Sequence, residues 1–491
     1  MLTLINANRM MPPIAPVGLE YVAAAACRAG LDVEILDLCL AADPAGLVAA
    51  HFARSAPDLV GISFRNVDDC FWPGGSWFVP ELMTLVESIR RQCEAPIVLG
   101  GVGYSVFARE LLDRCGADFG IRGDGEQALV ALVSELGGPR RFEKVEGLLW
   151  REGRGIRENP PAWPHDWSAP TGREMIDNRA YFRRGGQIGV ETRRGCPRKC
   201  LYCADPIAKG ARTRPRSAVE VAEEFESLAA QGIDVVHLCD AEFNVPADQA
   251  GAVCEELIRR RLGERVRWYA YLAVVPFDAD LARAMRRAGC VGINFTGDSA
   301  SPAMLQTYRQ PHGRDDLAEA VRLCRAEEIA VMIDLLLGGP GETPHSVRET
   351  IEFVRRIGPD CAGAALGVRL YPGTAMADVV AADGPLATNP AIHRRYPGPI
   401  DLVRPTFYVS PALGPQPARL VRELIDGDPR FFTPVDHEPD SETAARPSTD
   451  HNYNDNQALV DAIAAGARGA YWDILRKLRT GGNEWPIANT E

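Results

Sequence analysis

The sequence predicts an α/β protein made of two strand–helix blocks, a doubly wound sheet over residues 1–150 and a partial β/α barrel over 186–410. Three observations predict it. Short β-branched runs alternate with helix-period segments in both blocks. Between them the alternation breaks at "RENPPAWPHDWSAP", rich in Pro and Trp, so 151–185 reads as an interdomain connector that packs through its aromatics. The length, 491 residues, exceeds what one hydrophobic core usually serves.

In the first block "MLTLINA" reads as a strand, "VGLEYVAAAACRAG" as a helix and "DVEILDL" as a strand. The strands "LVGISF" and "APIVLGG" follow, with the helix "PELMTLVESIRRQC" between them, then the helix "ARELLDRCG" and the strand "ADFGIRG". Loops at the carboxyl ends of such strands form a ligand crevice. The second block starts at "QIGVET" and continues through "VVHLCD", "VRWYAYL", "GINFTGD", "AVMIDLLLG" and "AALGVRLYP", separated by helices such as "AVEVAEEFESLAAQG". Five or six βα units place the active site at the strand C-termini. Residues 411–491 read as a small mixed or helical segment that covers the barrel mouth and helps select the substrate, with "DNQALVDAIAAGARGAYWDILRKL" as a closing helix.

Composition narrows the class. Hydrophobic content of 46% and charged content of 24% are those of a soluble globular protein, and a net charge of −12 disfavours nucleic acid and anionic membrane as partners. The N-terminal "MLTLINANRMMPP" lacks a signal-peptide pattern, and no apolar run reaches membrane-helix length, so the expected location is cytoplasmic. An odd count of thirteen cysteines in a reducing compartment is no disulfide framework. Ten lie singly and read as small buried residues.

The other three, Cys196, Cys200 and Cys203, fall in "RGCPRKCLYCADP" just after the first barrel strand, on a loop at the barrel mouth. Closed zinc sites use four ligands, commonly two pairs, and no second pair exists here. Three thiolates from one loop can instead hold three irons of a four-iron cluster and leave the fourth open to a substrate or cofactor.

CxxxCxxC after a first barrel strand, with the aromatic Tyr202 before the last cysteine, resembles the radical S-adenosylmethionine (SAM) superfamily. The resemblance implies a 4Fe-4S cluster on the three cysteines, with SAM on the open iron. It implies cofactor contacts from Tyr202, from Asp240 and Glu242 in "LCDAEFN", from Ser299 in "GDSAS", and from Gly338 and Gly339 in "LLLGGPGET". "RLYPGT" (Arg369 to Thr374) matches a segment of multidomain members. Each segment also has a plain reading, a tight glycine turn or an N-cap.

The first block, from "PPIAPVGLEYVAAAACRAGLDVEILD", resembles the Rossmann-like cobalamin-binding domain that precedes many such barrels. The resemblance assigns Ser63 and Arg65 in "GISFRN", and Gly100 and Gly101 in "VLGG", to cobalamin. The family's Asp-x-His-x-x-Gly motif is absent, because the first histidine is His51, in a helix pattern. Cobalt's lower face is then without histidine, and Arg65 either approaches that face or pairs with Asp68 or Asp69. Glu126 in "RGDGE" reads as a first-turn helix residue. "DDCFWPGGSWF" (Asp68 to Phe78) either lines the corrin crevice or anchors a domain interface, while "DHNYND" (Asp450 to Asp455) and Trp472 read as polar loop and aromatic packing.

Together these features resemble the cobalamin-dependent (class B) radical SAM methylases. The implied function is transfer of a methyl group from SAM, via methylcobalamin, to a carbon of a small-molecule or peptide substrate, with an electron donor such as flavodoxin or ferredoxin. Both radical transfer and a polar route at an sp² carbon, as in the tryptophan C2 methylases, occur in that group. The alternatives are a rearrangement or cyclisation without methyl transfer, or a metal-stabilised binding module without catalysis.

Overall fold

The computed structural model describes residues 1–435 and 452–481, apart from 74, 166 and 171. Its first sheet has seven strands: β1 (Leu2–Asn6), β2 (Val33–Asp37), β3 (Leu59–Ser63), β4 (Ile97–Gly100), β5 (Phe119–Ile121), β6 (Leu148–Glu152) and β7 (Gly155–Glu158). The order is β2-β1-β3-β4-β5-β6-β7, parallel from β2 through β5. Strand order reverses where β1 sits between β2 and β3, and a crevice opens beyond the carboxyl ends there. Leu2 and Leu4 of β1 pack on one face and Ile5 on the other, as a sheet covered on both sides requires. The boundary expected at residue 150 falls inside β6. The antiparallel β6–β7 hairpin carries the sheet to Glu158, so the connector begins after it.

The second sheet runs β19-β15-β14-β13-β12-β11-β8 and is parallel throughout. Its strands are β8 (Ile188–Val190), β11 (Val235–Leu238), β12 (Arg267–Ala273), β13 (Cys290–Asp298), β14 (Ala330–Leu337), β15 (Cys361–Leu366) and β19 (Phe431–Phe432). With β8 and β19 at its two edges the sheet is an open, partial barrel. Alternation sorts its faces: Trp268, Ala270, Ile293, Phe295 and Ile333 pack under the helices, whereas Asn294, Thr296 and Asp334 turn to the lumen. A two-stranded ribbon, β9 (Arg193–Arg194) with β10 (Arg214–Pro215), clamps the ends of the cysteine loop. β16 (Val368–Arg369), β17 (Ile392–Arg394) and β18 (Thr406–Tyr408) form a separate antiparallel sheet.

The C-terminal segment departs from expectation. Its closing helix is two, Gln457–Ala464 and Tyr471–Arg479, divided where Gly466 and Gly469 take positive φ. Its phenylalanines supply β19. While Asn452 of the same segment reaches Asp69 after β3, these last two helices pack on Val235, Tyr269, Met332 and Cys361, in the first halves of the strands, at the end opposite the mouth. Trp472 is buried there, 6.0 Å from the Tyr269 ring. Asp450 and His451 lie outside the described residues.

Buried ion pairs lock the two blocks together. Arg173 of the connector donates to Glu20 of the first block and Glu224 of the second, and Arg216 joins Glu224 from the barrel side. The Tyr21 hydroxyl donates to Glu224 at 2.8 Å. All four charged side chains are fully buried. No described helix is long and apolar enough to cross a membrane.

Candidate functional site

A cleft of about 1630 Å³, including its open mouth, lies at the β1/β3 switch point and extends to the barrel. Ser63, Arg65, Gly100 and Gly101, all expected at a ligand, line it, together with Glu191, Lys209 and Cys239 of the barrel. Small residues keep it open. A Cβ at Gly18 would meet nothing within 4 Å, and one at Gly100 only the Ile121 carbonyl at 4.0 Å, so both leave space where a side chain would fill the cleft. Gly101 is different: with φ +101 its Cβ would come within 2.6 Å of the Phe64 carbonyl.

Among the described residues no histidine lines the cleft. His51 is buried elsewhere, its Nε2 2.9 Å from the Thr3 hydroxyl. Arg65 is exposed and makes no ion pair among the described residues. The carboxylates that could have claimed it are engaged: Asp68 by Arg369 at 2.8 Å, and Asp69 by the Ser76 amide and Asn452. The Asp68–Phe78 loop anchors an interface and does not line the cleft. Trp72 packs 5.4 Å from His393, and Trp77 5.4 Å from Tyr396.

Cys196, Cys200 and Cys203 sit on the loop held by the β9–β10 ribbon. Gly195 opens it with φ +78, where a Cβ would lie 2.0 Å from the Arg212 carbonyl. The Cys196 amide donates to the Gly210 carbonyl at 3.0 Å. Burial pushes all three thiols up, Cys200 to about 12. Three thiols on one loop, with no fourth cysteine beside them, suit a cluster with an open iron better than a closed zinc site. Among the described residues no three His, Cys, Asp or Glu side chains converge on a single ion.

The other expected contacts divide into engaged and open groups. Asp240 is spent on the loop itself, accepting the Thr192 amide at 2.8 Å, the Thr192 hydroxyl at 2.6 Å and the Arg193 amide at 3.1 Å. Ser299 is fully buried and bonds Thr350 at 2.8 Å, so it does not reach the site. Its neighbour Asp298 does, accepting the Tyr202 hydroxyl at 2.8 Å and a hydrogen bond from Gln310, whose amide also reaches the Cys200 sulfur at 3.5 Å. Asp298 lies past a register shift that follows Thr296, and with φ +53 it leaves the strand's period, so no alternation in the sequence pointed to it. Burial raises Asp298 to about 6.

Glu242 is only half engaged. Oε1 accepts the Thr296 hydroxyl at 3.0 Å, and Oε2 is enclosed without a partner. Desolvation pushes its carboxyl up to about 8. Gly338 and Gly339 form the turn after β14. Gly338 has φ +92, and the Gly339 amide donates to the Tyr308 hydroxyl at 3.1 Å, leaving no room for a Cβ. Beneath them Glu342 is buried, and desolvation raises it to about 7. Glu126 accepts from Arg194 at 2.8 Å, and Asp124 from Arg214, tying "RGDGE" to the ribbon.

Comparison with known proteins agrees with this geometry. The Radical SAM superfamily model matches residues 190–354, and the B12 binding domain model matches 6–133. The chain is 28% identical to the tryptophan 2-C-methyltransferase of Streptomyces laurentii, over 96% of this chain and 94% of that one. It is 30% identical to the radical SAM methyltransferase TsrM of Kitasatospora setae, solved with tryptophan and a SAM analogue bound, over 98% of both chains with a TM-score of 0.89. A second structure of that protein, with cobalamin and a [4Fe-4S] cluster, superposes with a TM-score of 0.86.

Proposed function

The chain belongs to the cobalamin-binding radical SAM methyltransferases, and from that premise we propose that its substrate is tryptophan or a close indole relative, methylated on a ring carbon. It is a cobalamin- and SAM-dependent enzyme that transfers a methyl group to carbon of a small molecule. The observation that carries the narrower reading is the match to two tryptophan-linked proteins over 96% and 98% of this chain.

Cys196, Cys200 and Cys203 would hold the cluster, and the cleft residues Ser63, Arg65, Gly100 and Gly101 would hold cobalamin. When bound, these groups and SAM supply the methyl group, its carrier and the electrons. The chain's own part is orientation and exclusion of water. Arg65 offers the cleft a cation without a lone pair, so it can set charge there but cannot ligate a metal. Glu242 keeps its proton at neutral pH and presents it in an enclosed site where a donor is worth more than in water. An external donor of the flavodoxin or ferredoxin type and a cytoplasmic location, where thiols stay reduced, belong to the same reading.

The test is anaerobic turnover of the reconstituted protein with tryptophan and methyl-labelled SAM. The expected product is tryptophan one methyl heavier, with the label on the ring. Cofactor-loaded protein that consumes SAM but leaves tryptophan unchanged would remove the substrate assignment.

A further inference from the structure

We propose that Asn294, backed by Asp334 and faced by Tyr271, anchors the protonated primary amine of the substrate inside the barrel. This rests on the reading of the substrate as an amino acid of the tryptophan type, and adds how the protein tells it from uncharged relatives.

Neighbouring strands bring the groups together. Tyr271 of β12 lies opposite Asn294 of β13, and partners in a parallel ladder point to the same face. Asp334 of β14 is paired one step further along, with Thr296. The Asn294 Nδ2 group donates to the Asp334 carboxylate at 2.8 Å. That bond fixes the amide, since the carboxylate only accepts, and leaves Oδ1 as an acceptor. Asn294 is 3% exposed, yet Oδ1 has no hydrogen-bond partner among the described residues. A buried acceptor left unmatched is costly and asks for a ligand that donates.

Tyr271 is the reverse case. It sits within an inner strand but is 37% exposed, because its ring stands in the open lumen, 5.0 Å from the His237 ring. An amide oxygen, a carboxylate and an aromatic face all complement an ammonium group, which has three donors and no acceptor. A ligand carboxylate set against the Asn294 Oδ1 and the Asp334 carboxylate would meet an acceptor and a negative charge. The wall adjoins the cleft: Arg65 and Cys239, both cleft-lining, act electrostatically on the Tyr271 hydroxyl. An amine held here keeps the molecule beside the proposed cobalamin.

Binding of tryptophan, tryptamine and indole-3-propionate to the cofactor-loaded protein tests this. Tryptophan and tryptamine should bind, and indole-3-propionate, lacking the amine, should bind roughly ten- to a hundredfold more weakly than tryptophan. Asn294→Leu should erase that preference and raise KM more than it lowers kcat, whereas Asn294→Asp should retain it. Iron and cobalt content and Tm in each variant separate lost recognition from lost folding, and the wild-type ratio stands even if the leucine variant does not fold. Wild-type protein that methylates tryptophan yet binds indole-3-propionate equally well would overturn the anchor alone. If no indole compound binds, the substrate reading falls and the anchor with it.

Discussion

Replacing Gly100 with valine should separate folding from cobalamin binding. The new Cβ would meet nothing nearer than the Ile121 carbonyl at 4.0 Å, so the free protein has room for it. Glycine within a strand is itself unfavourable by about 0.5–1 kcal/mol, so the variant should melt within roughly 1 kcal/mol of wild type, if anything higher. The same side chain projects into the cleft, where forcing in extra methyl groups costs about 1–3 kcal/mol against a fitted ligand. Cobalamin affinity should therefore fall roughly five- to 150-fold. The assay is anaerobic reconstitution with graded cobalamin, desalting, and elemental analysis of cobalt and iron. Iron should be unchanged, because the cysteine loop belongs to the other block. A valine variant that loads cobalamin with wild-type affinity would refute the argument that the ligand lies against this strand end. Gly101→Val is the contrasting control. Its positive φ and the 2.6 Å approach to the Phe64 carbonyl should destabilise the apoprotein itself.

Cys203→Ala should lose most reconstituted iron and keep cobalt, read by the same elemental analysis, since the cleft is lined by other residues. Glu342→Gln should remove a pH dependence. Folded Glu342 holds its proton up to about pH 7, whereas its ordinary value is 4.5, so wild-type stability falls as pH rises from 4.5 to 7. Urea midpoints at pH 5 and pH 8 should show that fall in wild type and a fall smaller by at most about 3 kcal/mol in the glutamine variant, the remainder belonging to Glu242 and Asp298. Asp68→Ala strands Arg369 in a buried site and should cost about 3–5 kcal/mol, measured by urea unfolding.

What the sequence disclosed and what it hid follow from range. Strands β1, β3 and β4 were legible because runs such as "LVGISF" are locally apolar and β-branched, and the cysteine loop because its spacing lies within eight residues. The hairpin of β6 and β7 was not, since five of the twelve residues of "GLLWREGRGIRE" are charged and its pairing is antiparallel at the sheet's edge. β19 is two residues long, too short for any period to register. Ser299 was favoured over Asp298 because the family resemblance singled out "GDSAS", whereas Asp298 is turned toward Tyr202 by a local register shift that no period in the sequence marks. Asp240 and Arg369 have partners that only the fold reveals. Arg369 meets Asp68 across 301 positions, and no local pattern encodes that.

The Arg173–Glu20–Glu224–Arg216 cluster sets how the cleft can be entered. Swinging the first block away from the barrel would strip Glu20 of its guanidinium while leaving it unhydrated at the start of the movement. At about 4 kcal/mol for an orphaned buried charge, the swung-out form would be on the order of one molecule in a thousand. The protein is therefore a fixed slot rather than a hinged jaw. A ligand of the cleft then enters through its open mouth and not by separation of the two blocks.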